Sequence, residues 1–383
     1  MYPNEPVLTV VAPLIDAQIV ETAILAQVNH QSLVATKTAR IVKAAEGKAV
    51  SDFGARRAHN MDAAVYGARA SYIGGAAGTA TVLAGQMFGI PVSGTMAHSW
   101  VMYYKDEYEA FKHYAENYPD NTVLLVDTYD TIKSGIPNAI RVAKEVLEPM
   151  GKRLKGIRID SGDLAYQSIK VRKMLDDAGL QDCKVMVSNS LDEHTISSLN
   201  MQKARIDGYG VGERLITGAS SDYSEDSISL LGAVYKIAAV EENGEFSPRI
   251  KVSGSVEKIT NPGLKKVYRV YDQNGKAKAD LIAKADETID MSTEFRFVDP
   301  DMPWRNLKFT HCTVKPLQEK IFENGKLIYK LPTLEEIRAY VKKQLEEEIW
   351  EEEQRFVNPH KHYMDMTPDY YDMKMSLLND SRV

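Results

Sequence analysis

Between residues 120 and 212, short apolar runs end on a polar residue or a glycine and give way to amphipathic stretches. Val123–Val126 ends at Asp127 and Gly156–Ile159 ends at Asp160. Lys184–Val187 ends at Ser188-Asn189, and Tyr209–Gly212 closes the series. Between these runs, Asn138–Leu147 and Leu164–Ala178 carry helical spacing. Uninterrupted apolar strands alternating with helices predict a parallel sheet buried on both faces. Units this closely spaced fit an α/β barrel or a doubly wound sheet.

The flanks read differently. Val7–Val11 is a β-branched run broken at Pro13. Asp16–Asn29 places Ile19, Ile24, Leu25 and Val28 at helical spacing, and a second helical stretch reaches Glu46-Gly47. Beyond 235, Lys236–Val240 and Lys266–Tyr271 predict strands. Glu241-Glu242-Asn243-Gly244 and Asp272-Gln273-Asn274-Gly275 predict hairpin turns. A helix is expected from Thr333, with Glu336 completing a capping box. Its apolar stripe is Leu334, Ile337, Val341, Leu345 and Ile349, and the Glu346–Glu348 and Glu351–Glu353 runs read as its solvated face. The pattern gives three parts: residues 1–50 with 236–330 as a small β-rich domain, 51–235 as the α/β barrel, and 331–383 as a terminal helix and tail.

In a parallel barrel the carboxyl ends of all strands open on one face, so the polar residues that end the runs should converge there. Arg158 and Asp160, two apart, point to the same side of their strand. Ser161-Gly162-Asp163 then opens a helix whose free amides can meet an anion, or which Asp163 simply caps. Ser188 ends the next run. Gly208, Gly210 and Gly212 leave one face without side chains, which suits either a phosphate cradle or close packing. In Phe53-Gly54-Ala55-Arg56-Arg57, adjacent arginines suit a phosphate clamp and Phe53 a flat ring; two solvated arginines at a helix start are the plain alternative. His98 sits among small residues after an Ile90-Pro91-Val92 strand, which leaves it accessible.

Composition narrows the partners. A formal net charge of −6 gives no reason to expect nucleic acid or a membrane, so an anionic substrate needs a local basic site. Two isolated cysteines, Cys183 and Cys312, make no disulfide framework. The first residues lack the basic and apolar regions of a signal peptide, and no apolar run is long enough to span a bilayer. The expected location is the cytoplasm.

Five motifs in this order resemble the nicotinate phosphoribosyltransferase family. They are Phe53-Gly54-Ala55-Arg56-Arg57, Gly94-Thr95-Met96-Ala97-His98, Asp127-Thr128-Tyr129-Asp130-Thr131, Arg158–Asp163 and Tyr209–Gly212, and the likeness runs from Tyr2-Pro3-Asn4 to Asp369-Tyr370-Tyr371. The resemblance implies an irregular parallel α/β barrel with a smaller open β-sandwich domain built from both chain ends. It implies transfer of a phosphoribosyl group from phosphoribosyl pyrophosphate to nicotinate, with magnesium, coupled to ATP hydrolysis through a phosphohistidine. By the same likeness His98 takes the phosphoryl group and Asp127 orients it. Phe53 stacks on the pyridine ring, and Arg56 binds phosphate with Arg57 nearby. Arg158 and Asp160 border base and ribose; Asp163 and Ser188 join the substrate-binding set from their place at the strand ends. Gly210 and Gly212 cradle the 5′-phosphate, and Thr81 lies where base selectivity is set. The family's shared active site implies a homodimer; the residues that hold the metal stay open.

The sequence departs from the family pattern in three places. A leading segment, which supplies a ring-stacking tyrosine to the partner's site, is expected ahead of Tyr2 and the chain begins at Met1. Glu213 follows Gly212 where threonine is usual, and is expected to turn away or to pair with Arg214. Gly78-Thr79-Ala80-Thr81 replaces Gly-Thr-Ser-Asn. A catalytically weak relative that binds nucleotide is therefore the rival reading. A nicotinamide enzyme would want an acid near Thr81, and a quinolinate enzyme would not need His98.

Overall fold

The computed structural model describes residues 2–219, 231–255, 258–291 and 294–381. They form two compact units, Gln27–Gly232 and the pair of segments Met1–Ala26 and Ala233–Val383.

The unit Gln27–Gly232 is built on six parallel strands: β1 (Ala49–Asp52), β2 (Gly78–Thr79), β3 (Val123–Leu125), β4 (Gly156–Ile159), β5 (Lys184–Ser188) and β6 (Gly208–Val211). Their order is β2-β1-β6-β5-β4-β3, a curled parallel sheet with helices in the connections, a half-barrel. Leu124, Ile157, Ile159, Val185, Val187, Tyr209 and Val211 are all buried, as strands covered on both faces require. The register sets the polar positions level. Ser51 pairs with Gly78 on one side and Gly210 on the other, and Gly210 pairs with Ser188. Arg158 lies beside Leu125 and Met186.

The four runs read from sequence are strands with nearly the expected ends. β1 was not anticipated: Ala49–Asp52 holds two polar residues and ends in an acid, so it carries no apolar run. Ile90-Pro91-Val92 is no strand; it gives a single bridge, Val92 to Thr79, because Pro91 lacks the N–H a ladder needs. The helical stretches before residue 47 are divided elsewhere than expected, into Leu14–Ile19 and an unbroken helix Glu21–Ala44, which contains no glycine or proline. Within the half-barrel unit, Val34 and Ile41 of that helix are fully buried. Its Lys37 and Arg40 pair with buried Glu193 at 2.6 and 2.9 Å.

The second unit contains a six-stranded sheet. Its strands come from β9 (Lys265–Tyr271), β10 (Ala277–Lys284), β11 (Phe295–Val298), β12 (Asn306–Phe309), β13 (Thr313–Pro316) and β16 (Met364–Met366), in the order β12-β11-β16-β10-β9-β13. Two hairpins stand apart from it, β7 (Ala239–Glu242) with β8 (Glu245–Pro248), and β14 (Phe322–Glu323) with β15 (Lys326–Leu327). Asn243 and Gly244 both adopt positive φ, 55° and 85°, as the tight hairpin turn demands. Strand β7 starts three residues later than Lys236, and Val7–Val11 forms no strand. Thr333 and Glu336 make both capping-box bonds on the helix Leu334–Lys343. Helical winding then loosens over Gln344–Glu348 and turns Glu348 inward, where it accepts from the Tyr271 hydroxyl at 2.7 Å. Glu348 therefore belongs to the interior and not to a solvated face.

Both ends of the chain are built into this unit. Tyr2 stacks on His362 with ring centroids 3.6 Å apart and donates to Glu353 at 3.0 Å. Beneath them Arg269 binds Asp280 through two 2.7 Å bonds across the β9–β10 pair. A buried pair of acids, Asp299 and Asp365, has no such cation partner among the described residues. Val298 lies opposite Met366 in the antiparallel β11–β16 contact, which sets Asp299 opposite Asp365. Both oxygens of Asp365 are buried without hydrogen bonds, and Asp299 Oδ2 is the same. Burial, then the Asp299 charge, pushes the Asp365 carboxyl up to about 7.

A carboxyl raised in the folded state favours folding most below its ordinary value of 3.8, and that contribution is lost as pH climbs to about 7. The rise from 3.8 to about 7 bounds the effect at about 4 kcal/mol. Wild type should therefore lose more thermal stability between pH 5 and pH 8 than Asp365→Asn. Parallel losses in the two proteins would show that Asp365 titrates normally.

Candidate active site

The carboxyl ends of β1, β3, β4, β5 and β6 gather most of the polar residues picked out from sequence. Asp160, just past β4, is the hub. Its Oδ1 accepts the hydroxyl of Ser188 from β5, and its Oδ2 faces His98 Nε2 at 3.7 Å. Its own N–H donates to Asp127 Oδ2 at 2.9 Å. The Ser161 hydroxyl donates to the same Asp127 oxygen at 2.6 Å, leaving Asp127 Oδ1 buried and unpartnered. His98 opens the short helix His98–Tyr103 and is 40% exposed, accessible yet held. Its Nδ1 lies 3.0 Å from Thr128 Oγ1. Asp127 itself meets the β4 turn, and the groups beside the His98 ring are the Thr128 hydroxyl and the Asp160 carboxylate.

Arg158 and Phe53 face one another, with the guanidinium 5.7 Å from the ring centroid. Burial lowers the Arg158 guanidinium below its ordinary value, partly offset by Asp160 and Asp127, and nearby Arg56 lowers it further. Arg158 Nε is buried without an acceptor. A buried guanidinium with an orphaned N–H, near enough to Arg56 to feel its charge, marks a place where an anion would lower the energy. Phe53 is fixed by its N–H to Val211 O at 2.8 Å and by the turn before Gly54. Asp52 makes that turn. Fully buried, it accepts from Gly54 N at 2.8 Å and from the Thr79 hydroxyl at 2.7 Å. Burial raises its carboxyl above the usual range. Sequence reasoning passed over Asp52 and Thr128. The Asp-x-Gly spacing signals the first, and nothing in the sequence singles out the second.

Neighbouring side chains fill the bare faces of two β6 glycines. A Cβ on Gly210 would lie 2.4 Å from Phe53 Cε2, and one on Gly208 would lie 2.7 Å from Met186 Sδ. Gly210 is an inner strand residue whose bare face admits the Phe53 ring. Gly212 precedes the five-residue helix Glu213–Thr217. Glu213 does turn aside, but toward Arg57, at 3.5 Å between two exposed side chains; Arg214 faces Asp192 at 3.7 Å. Asp163 caps the helix Leu164–Asp177 by accepting from Tyr166 N at 3.0 Å. Thr81 begins the helix Val82–Phe88, its hydroxyl oxygen buried and unpartnered.

Asp127, Tyr129, Asp130, Ser161, Asp163 and Gln167 border a pocket of about 310 Å³ beside this cluster. A larger groove, about 510 Å³, lies in the other unit among Gln18, Glu21, Tyr235 and Arg249. Its Lys236 and Arg249 are paired with Glu21 and Glu242, so it gathers no comparable chemistry. No helix among the described residues is long and apolar enough to cross a membrane.

Residues 48–280 match the model of the nicotinate phosphoribosyltransferase (NAPRTase) family, and residues 264–374 match that of the nicotinate phosphoribosyltransferase C-terminal domain. The chain is 48% identical over 383 residues to the nicotinate phosphoribosyltransferase of Bacillus subtilis, covering 99% of this chain and 76% of that protein. It is 30% identical over 392 residues to the human protein of that name, covering 88% and 71%. Among solved structures, human nicotinic acid phosphoribosyltransferase superposes with a TM-score of 0.80 at 27% identity, over 96% of this chain and 78% of that one. On the strength of this match and of the sheet that carries the cluster, the chain belongs to the nicotinate phosphoribosyltransferase family.

Proposed function

We propose that this phosphoribosyltransferase joins nicotinate to the phosphoribosyl group of phosphoribosyl pyrophosphate, releasing pyrophosphate, and couples the transfer to ATP hydrolysis through a phosphorylated His98. Family membership supports the transfer. The observation that supports the coupling is an accessible imidazole held at the mouth of the half-barrel, between the Thr128 hydroxyl and the Asp160 carboxylate.

In the transfer, the bond from ribose C1 to pyrophosphate breaks as the bond to the pyridine nitrogen forms. Positive charge develops on the ribose, and negative charge leaves with pyrophosphate. Asp160 and Asp127 lie where carboxylates can face the first; Arg158 and Arg56 can bind the second. Phe53 offers one ring face to the base, and the unpartnered Thr81 hydroxyl offers a hydrogen bond nearby. Pairing of Glu213 with Arg57 turns its carboxylate aside, which favours an active enzyme over a weak relative.

Magnesium, when bound, neutralises phosphate charge. Among the described residues no group of three or more His, Cys, Asp or Glu side chains could hold a metal. That fits an ion which arrives on the substrate and takes most ligands from phosphate and water. Asp127, through its unpartnered Oδ1, would hold it. The reading extends to a homodimer, supported by the exposed apolar side chains of Met61, Val82, Met102 and Tyr103 in the half-barrel unit.

Two measurements check these assignments. His98→Ala should abolish ATP hydrolysis; turnover of ATP at the wild-type rate in that variant would remove the role given to His98. Gly210→Ala should drive the Phe53 ring out of place, at a packing cost of about 1–3 kcal/mol, and raise the KM for nicotinate about tenfold. An unchanged KM would mean that Phe53 does not meet the base.

A further inference from the structure

We infer that Thr128 is a positioning residue for His98, fixing both the orientation and the tautomer of its ring. This rests on the phosphohistidine reading above and names the group that prepares the ring for it. Asp160 is committed as an acceptor. It takes the Ser188 hydroxyl on one oxygen and presents the other to His98 Nε2 at 3.7 Å. A carboxylate at that distance favours a proton on Nε2, leaving the lone pair of the neutral ring on Nδ1. The group on Nδ1 is the Thr128 hydroxyl at 3.0 Å, which then donates to that lone pair.

The two partners come from different strand ends, β3 and β4, so together they fix the ring's rotation. Without either one, the ring can turn and exchange its nitrogens. Thr128 is itself well placed to hold its position. The backbone N–H of Val126, two residues before it, donates to Arg158 O at 3.1 Å, and Asp130, two residues after it, accepts from the N–H groups of Ile132 and Lys133 at 3.0 and 2.8 Å.

In the phosphoryl step the Nδ1 lone pair attacks the γ-phosphorus. A nitrogen–phosphorus bond forms, the bond to the β–γ bridging oxygen breaks, and ADP leaves with that electron pair. The ring proton stays on Nε2 facing Asp160. A threonine hydroxyl turns freely about its Cβ–Oγ bond, so it can release the lone pair and donate to a phosphoryl oxygen instead. A carboxylate at the same position would repel the incoming phosphate. A hydroxyl gives direction without that penalty, which accounts for Thr128, and not Asp127, standing against Nδ1.

The test is the rate at which γ-labelled ATP forms acid-labile phosphoenzyme in the full chain, compared for wild type, Thr128→Val, Thr128→Ser and His98→Ala. Thr128→Val keeps the shape and removes the hydroxyl. A nucleophile freed by about 1 Å costs on the order of 100-fold, so that variant should label about 100-fold more slowly, and Thr128→Ser should recover to within about threefold. The KM for ATP should move far less than the labelling rate, since the hydroxyl orients the ring and does not bind nucleotide. Labelling of Thr128→Val at the wild-type rate would overturn the inference. So would a Thr128→Ser variant as slow as Thr128→Val, because it would assign the effect to the methyl group. Wild-type labelling of His98→Ala would instead overturn the phosphohistidine reading itself.

Discussion

Asp160 is bound on three sides, and the candidate site takes its shape from that. Its N–H is held by Asp127, one oxygen takes the Ser188 hydroxyl, and the other faces His98. Through these contacts three neighbouring strands and the helix that starts at His98 meet at one residue. The arrangement depends on the parallel sheet. Strands buried on both faces are mostly apolar, so chemistry gathers toward their carboxyl ends. A curled sheet then draws those ends together. Loss of register by one residue in β4 would exchange Arg158 and Asp160 for Ile157 and Ile159 on the inner face.

Much of this geometry was legible in the sequence, and the parts that were not have physical reasons. Four apolar runs announced β3 to β6, and the polar residues after them marked the site. β1 stayed hidden because Ala49–Asp52 is half polar; its acid serves a turn and a hydroxyl inside the protein. Pro91 and the β-branched Val7–Val11 run read as strands by composition, yet ladder pairing depends on partners that composition does not display. Gly210 could be read as a cradle or as packing. The Phe53 ring lies where a Gly210 side chain would be, and only coordinates reveal what fills the space of a missing side chain.

The position of His98 shows the same limit at finer grain. A motif containing Asp127-Thr128 suggested that the charged residue would orient the imidazole. In the structure the carboxylate closes the β4 turn and the hydroxyl next to it meets the ring. Adjacent residues leaving a strand point in different directions, so Asp127 and Thr128 meet different neighbours. Glu348 follows a similar logic in the sheet-containing unit. One loosened helical turn carries it from an acidic surface run into a hydrogen bond with Tyr271.

The central claim is that the half-barrel mouth joins nicotinate to a phosphoribosyl group with help from ATP. The most direct measurement is mononucleotide formation by the purified chain, given labelled nicotinate, phosphoribosyl pyrophosphate and magnesium, with and without ATP, and labelled nicotinamide in a parallel reaction. The account predicts product from nicotinate, more of it when ATP is present, and none from nicotinamide. Product from nicotinamide, or product from nicotinate that ATP leaves unchanged, would contradict it.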